Sequence, residues 1–217
     1  MTRLSASLLT FYVDARRKNK KNDAMIAEIN NALSSREKEH QVLHLDIMDG
    51  KFVHGKSFTP AHVRKFVCKH KREAHLMVVN YEKYVRDFFL LADMFIIHQE
   101  VLKANAEKTI DFLHKNKKFV GIAINPDTSI SEIKFLHKID LILVMAVYPG
   151  LPGQQFMESS LRRIKRLKEI RQQKKLKFAI EVDGGINERT GKKCIAAGAD
   201  IIVSGSWFFS DEYKKIC

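Results

Sequence analysis

The sequence predicts an α/β protein, a single-domain (β/α)8 barrel over residues 1–217. Three observations lead there. Short runs rich in Ile, Val and Leu recur eight times along the chain. Amphipathic stretches alternate with them, which implies parallel strands joined by crossover helices. The length, 217 residues, suits eight such units in one compact domain. A doubly wound open sheet satisfies the same pattern, because alternation does not show whether the sheet closes.

In chain order, the first apolar run is Leu4–Leu9, and the charged stretch Arg16 to Asp23 reads as a solvated loop before a helical pattern over Asp23–Leu33. The second strand is Val42–Ile47, followed by a helical pattern over Pro60–Cys68. Strand three, Ala74–Val78, precedes a helix at Tyr81–Leu90; strand four, Met94–His98, precedes one at Asn105–Lys115. Strand five is Phe119–Ile124 with a helix at Ile130–Leu136, and strand six is Leu141–Val147 with a long helix at Gln155–Gln172. Strand seven, Phe178–Val182, leads to Glu188–Ala197, and strand eight, Ile201–Val203, to a short last helix at Trp207–Lys214.

Bulk composition narrows the function. No apolar run approaches the ~20 residues of a membrane span. The N-terminal charge run follows the apolar stretch rather than preceding it, opposite to a secretory signal, so a cytoplasmic protein with no membrane partner is expected. The net charge is +13, but the basic residues recur on several segments, as on the exposed faces of many helices. No dedicated nucleic-acid surface is expected, although a positive field speeds capture of a phosphorylated substrate. Cys68, Cys194 and Cys217 form no Cys-x-x-Cys pair, which argues against a disulfide framework.

The chemistry gathers where strands finish. In His44-Leu45-Asp46, residues i and i+2 share one face of a strand, so an imidazole and a carboxylate point together into the barrel mouth. His75 belongs to the next strand and Asp183 ends the seventh. Two imidazoles and two carboxylates suit Zn²⁺, Fe²⁺, Mn²⁺ or Co²⁺, Zn²⁺ first. Asp46 and Asp183 also suit an acid/base pair, one holding a proton while its partner does not. Asp49-Gly50 reads as turn chemistry and stays outside that set. Two glycine clusters, Asp183-Gly184-Gly185 and Ser204-Gly205-Ser206, resemble phosphate grips after strands seven and eight, the second opening a helix whose N-terminus would help. Pro149 to Gln154 reads as a mobile lid, with Gly150, Gly153 and Gln154 in reach of a ligand.

These segments carry a family resemblance over nearly the whole chain. SASLL, HLDIMDGKFV, HLMV, IIHQE, GIAINPDT, ILVMAVYPGLPGQQF, IEVDGGI and AGADIIVSGSWFF, in that order, resemble the ribulose-phosphate 3-epimerases. The resemblance implies a TIM barrel that interconverts D-ribulose 5-phosphate and D-xylulose 5-phosphate through an enediolate, in the pentose phosphate pathway. It implies one divalent metal ion on His44, Asp46, His75 and Asp183, with Asp46 and Asp183 as proton acceptor and donor. It places Ser7, His75 and Asp183 on the substrate, and Met48, Met77 and Met145 around the reacting carbons. Gly153, Gly184, Gly185, Gly205 and Ser206 fall in its phosphate and lid segments. It also implies a sugar-phosphate substrate and a homo-oligomer.

Four places depart from the family pattern. Tyr148 stands where the family usually has Asn, and Gly150-Leu151-Pro152-Gly153 where it has Gly-Phe-Gly-Gly. His54-Gly55 replaces Pro-Asn, and Ala6 replaces the proline before Ser7. A hexulose-phosphate epimerase acting on allulose 6-phosphate is the alternative within the class. The Asp183-Gly184-Gly185 step favours the pentulose enzyme, because the hexulose group can carry serine after the first glycine. A barrel that binds phosphorylated ligands or nucleic acid without turnover is the alternative outside it.

Overall fold

The structure is a computed structural model that describes residues 2–39 and 42–213. Eight parallel strands close on themselves: β1 Arg3–Ser7, β2 Val42–Met48, β3 Lys71–Met77, β4 Met94–His98, β5 Phe119–Ile124, β6 Leu141–Met145, β7 Ala179–Asp183 and β8 Ile201–Ser204. β8 pairs with β1 through Arg3 opposite Ile201 and Ala6 opposite Ser204, so the open-sheet alternative is excluded. The strands read as near-continuous Val/Ile/Leu because both faces are buried. Leu43, Leu45, Ile47, Leu76 and Ile97 face outward into the main core beneath the helices.

Among the described residues, seven α-helices surround the barrel: α1 Leu9–Arg17, α2 Asn22–Ser35, α3 Pro60–Val63, α4 Tyr81–Phe88, α5 Ala106–Lys115, α6 Ser159–Gln173 and α7 Glu188–Ala197. Four sequence expectations change. The first strand stops at Ser7, and helix α1 occupies part of the expected loop; Leu9, Tyr12 and Ala15 bury one helical face, and Arg16 and Arg17 sit in its last turn, where cations suit the helix dipole. The helix expected over Pro60–Cys68 ends at Val63. Beyond it, Asn30 of α2 takes over the backbone, donating to the Lys65 carbonyl (3.0 Å) and accepting from the Val67 amide (2.9 Å). The helix expected at Ile130–Leu136 is a single 3-10 turn, Ile130–Glu132, and Phe135 at φ +59° precludes continuation. Residues 205–212 form turns rather than the expected last helix, and Lys214 and Cys217 lie outside the described residues. Of the two remaining cysteines, Cys194 is sealed in α7, where burial pushes its thiol up to about 12.

The barrel interior has two characters. Ile96, Ala123, Leu141, Leu143, Met145, Ile201 and Val203 make an apolar cluster. Ser5, Ser7, His44, Asp46, Glu73, His75, His98 and Glu181 are equally buried but polar. Parallel register sets these into layers: His44 lies opposite Glu73, Asp46 opposite His75, and Met48 opposite Met77. Buried groups of this kind are tolerated only when they satisfy one another.

Candidate active site

The four predicted ligands converge at the C-terminal end of the barrel. One ligating atom each from His44, Asp46, His75 and Asp183 lies within 4.8 Å of every other. Alternation along β2 turns His44 and Asp46 inward, and register brings His75 beside Asp46. His75 Nδ1 is 3.2 Å and His44 Nε2 3.5 Å from Asp46 Oδ1; His44 Nε2 is 3.9 Å from Asp183 Oδ2. The Ser7 hydroxyl donates to Asp46 Oδ2 at 2.7 Å and fixes the carboxylate plane.

Beneath this cluster lies a layer that the sequence reading missed. His44 Nδ1 is 2.7 Å from Glu73 Oε1, and the Ser5 hydroxyl also donates to Glu73. The His44 proton on Nδ1 therefore belongs to Glu73, and Nε2 is left facing the cluster. His75 Nε2 meets His98 Nε2 at 2.8 Å, and His98 Nδ1 meets Glu100 Oε2 at 3.1 Å. Ser5, Glu73 and Glu181 each stand two residues before Ser7, His75 and Asp183, so the period-2 rule that paired His44 with Asp46 could have found them.

The electrostatics split the two carboxylates. Burial would raise Asp46, but first the charge and then the hydrogen bond of His44 hold it far below the usual carboxylate range. Burial and then the Asp46 charge push Asp183 up to about 7. Burial opposes charge on His44, yet Asp46 and Glu73 raise it well above an ordinary imidazole. Burial, followed by the Glu73 charge, lifts Glu181 well above the carboxylate range, which keeps it a neutral acid next to ionised Glu73. A centre that stabilises positive charge between two imidazole nitrogens and two carboxylates fits a divalent cation, so these four residues could hold one.

A cleft opens above them. Its walls include Ser7, Asp46, Met77, Met145, Asp183 and both glycine clusters, Gly184-Gly185 and Gly205-Ser206. The lid residues Gly150, Gly153 and Gln154 close one side, although the Gln154 amide is turned back onto the Tyr148 and Leu151 carbonyls at 2.6 and 2.9 Å. Met48 packs behind the wall with Leu9 and Met77. Gly205 leads into turns, so the helix dipole expected at that grip is absent and only local amides and the Ser206 side chain remain. Asp49 does the turn work expected of it: it accepts from the Lys51, Phe52 and Val79 amides at 2.8, 2.9 and 2.8 Å.

The glycines of β7's loop are sterically required. A Cβ on Gly184 would lie 2.4 Å from Val147, and one on Gly185 would lie 2.6 Å from the Phe156 amide nitrogen, both at positive φ. Gly185→Ala is expected to destabilise the fold by about 2–4 kcal/mol, through left-handed strain plus a backbone clash. A lower urea midpoint at unchanged m-value would register it; an unchanged midpoint would mean that the loop relaxes freely.

A family model described as the ribulose-phosphate 3 epimerase family matches residues 21–209. The chain belongs to this family. A ribulose-phosphate 3-epimerase from Aquifex aeolicus is 36% identical over 175 residues, covering 77% of each chain. One from Treponema pallidum is 36% identical over 180 residues, covering 81% of this chain and 82% of its own. The enzyme is thus an isomerase of the epimerase class. Among solved structures, KGPDC from Streptococcus mutans superposes at TM-score 0.67 with 14% identity, covering 99% of this chain and 92% of its own. Orotidine 5'-monophosphate decarboxylase from Methanocaldococcus jannaschii superposes at 0.59 with 14% identity, covering 98% and 93%. At that identity the likeness is one of barrel fold alone.

Proposed function

We propose that this epimerase interconverts D-ribulose 5-phosphate and D-xylulose 5-phosphate by inverting C3 through an enediolate, as a step of the pentose phosphate pathway. The observation that carries the reading is that Asp46 and Asp183 reach one cleft from strands β2 and β7, with two imidazoles between them and glycine turns beside them. His44, Asp46, His75 and Asp183 would hold the divalent ion, with Zn²⁺ first, then Fe²⁺, Mn²⁺ or Co²⁺. When bound, the ion supplies positive charge against the negative charge that develops on the substrate oxygens.

The protein's own residues do the rest. Asp46, oriented by Ser7, takes the C3 proton from one face. Asp183 delivers a proton to the opposite face, and the two exchange roles in reverse. Met48, Met77 and Met145 wall the reacting carbons without competing as acids or bases. The amides around Gly184, Gly185, Gly205 and Ser206 receive the phosphate, and the lid with Gly150, Gly153 and Gln154 covers the sugar. Among the described residues, no helix is long and apolar enough to cross a membrane; the cytoplasmic setting is proposed on the sequence reading, and a homo-oligomer accords with the family resemblance.

The test is kcat/KM on D-ribulose 5-phosphate, read through coupled detection of xylulose 5-phosphate, against allulose 6-phosphate. A pentulose preference is the expected result. A clear preference for the hexulose phosphate would replace the substrate, and no turnover on either with any metal would overturn the reaction.

The lid offers a separate check. The Tyr148 hydroxyl donates to Asp127 at 2.7 Å, and both groups sit at the surface. Tyr148→Phe should leave stability within about 0.5 kcal/mol. If lid opening limits turnover, it should shift kcat by about two- to threefold. Stopped-flow comparison of product release with steady-state kcat would check this, and identical kinetics would remove the latch.

A further inference from the structure

His75 has two ring nitrogens, and only one of them faces the ligand cluster. Nδ1 lies 3.2 Å from Asp46 and 3.3 Å from His44 Nε2; Nε2 points the other way, 2.8 Å from His98 Nε2. His98 is fully buried, roofed by the Phe52 ring with centroids 4.6 Å apart. Its Nδ1 faces Glu100 Oε2 at 3.1 Å. The other Glu100 oxygen, Oε1, accepts the Asn125 amide at 2.9 Å and the Thr128 hydroxyl.

Hydrogen-bond polarity follows from the far end. Ionised Glu100 can only accept, so His98 Nδ1 must carry a proton. A neutral imidazole has one N–H, so His98 Nε2 is a bare acceptor. The 2.8 Å gap holds one proton, which therefore sits on His75 Nε2. His75 Nδ1 is then left with its lone pair towards the cluster, where it and Asp46 Oδ1 share the His44 Nε2–H at 3.3 and 3.5 Å. We infer that His98 and Glu100 are positioning residues: a carboxylate-to-imidazole relay, running from Glu100 near the surface to buried His98, that sets the His75 tautomer and leaves Nδ1 free to bind a cation. The inference rests on the reading of His75 as a metal ligand. It accounts for two polar side chains that neither line the cleft nor belong to the four-residue ligand cluster.

Glu100→Gln tests the polarity with almost no change of shape. The Asn125 amide cannot become an acceptor, so the new carboxamide must keep its oxygen at that end. Its NH₂ then points at His98 Nδ1, which must accept. His98 turns donor at Nε2, and His75 must accept at Nε2 and carry its proton on Nδ1. His98→Gln is the counterpart: its amide can accept from His75 and donate to Glu100, which keeps the original polarity.

Long-range ¹⁵N–¹H spectra of the metal-free protein read the tautomer directly. The expected result is His75 protonated at Nε2 in the wild type and at Nδ1 in Glu100→Gln. Zn²⁺ affinity, measured by competition with a chromophoric chelator, should fall about 10–100-fold in Glu100→Gln. It should stay close to wild type in His98→Gln, although that change removes more packing. A wild-type His75 protonated at Nδ1, or a Glu100→Gln variant with unchanged tautomer and unchanged Zn²⁺ affinity, would overturn the relay. So would a larger loss in His98→Gln, the mark of a merely structural role. Absent epimerase turnover in the wild type would count against the proposed reaction alone, because the tautomer is read without metal or substrate.

Discussion

Asp183→Asn is expected to abolish epimerisation in both directions while leaving the barrel folded. Each direction needs one group to remove the C3 proton and another to return it on the opposite face, so losing either stops both. The Asp183 side chain keeps 18% exposure and Asn has the same shape, so its removal orphans little. A missing acid or base costs about 10²–10⁴-fold, and the loss should approach the upper figure because, among the described residues, the carboxylates lining the cleft are Asp46 and Asp183. The assay should run in excess metal, with metal content measured, so that a weakened ligand set is not mistaken for a lost proton donor. Running it in D₂O sharpens the result. Asp46 can still lift a proton and return a deuteron to its own face, so one ketose phosphate should gain C3 deuterium without inverting. Substantial residual epimerisation would rule out the paired-carboxylate mechanism.

Chelation is the second large effect. Removing the ion should take turnover to background, and adding back Zn²⁺, Fe²⁺, Mn²⁺ or Co²⁺ should restore it. Stability should move with it. A ligand at 100 times its Kd stabilises the state that binds it by about 2.7 kcal/mol. For a chain of this size that corresponds to a Tm rise of roughly 5–10 °C. His75→Ala should lower metal content, rate and the metal-dependent part of Tm together. Full turnover after exhaustive chelation, with no change in Tm, would remove the ion from the mechanism.

The strands were legible because a parallel barrel buries both strand faces, leaving apolar runs such as Phe119–Ile124 with clear ends. Their polar termini were legible too, since His44 and Asp46 at i and i+2 must share a face. What the sequence did not disclose were relations across strands. The contact of His44 with Glu73, and of His75 with His98, follows from register and closure, neither of which one strand carries in its own residues. Helix α1 was hidden for a different reason. Leu8 to Val13 is nearly unbroken in apolar character, so periodicity alone could not separate helix from strand. At Ile130 the amphipathic pattern was present, but the chain turned away after one 3-10 turn.

The mixed interior bears on how this chain can change over generations. Ala123, Leu143, Met145 and Val203 touch one another through apolar surface, where swaps that conserve volume usually cost under about 1.5 kcal/mol. At the polar positions, Ser5, His44, Glu73, His75 and His98 each hold a partner that would be stranded by replacement. Inherited variation can therefore accumulate at the apolar interior positions while the polar ones stay frozen. Since Met145 belongs to the permissive apolar cluster and also lines the cleft, the shape of the accepted sugar can drift without disturbing the residues proposed to move its proton.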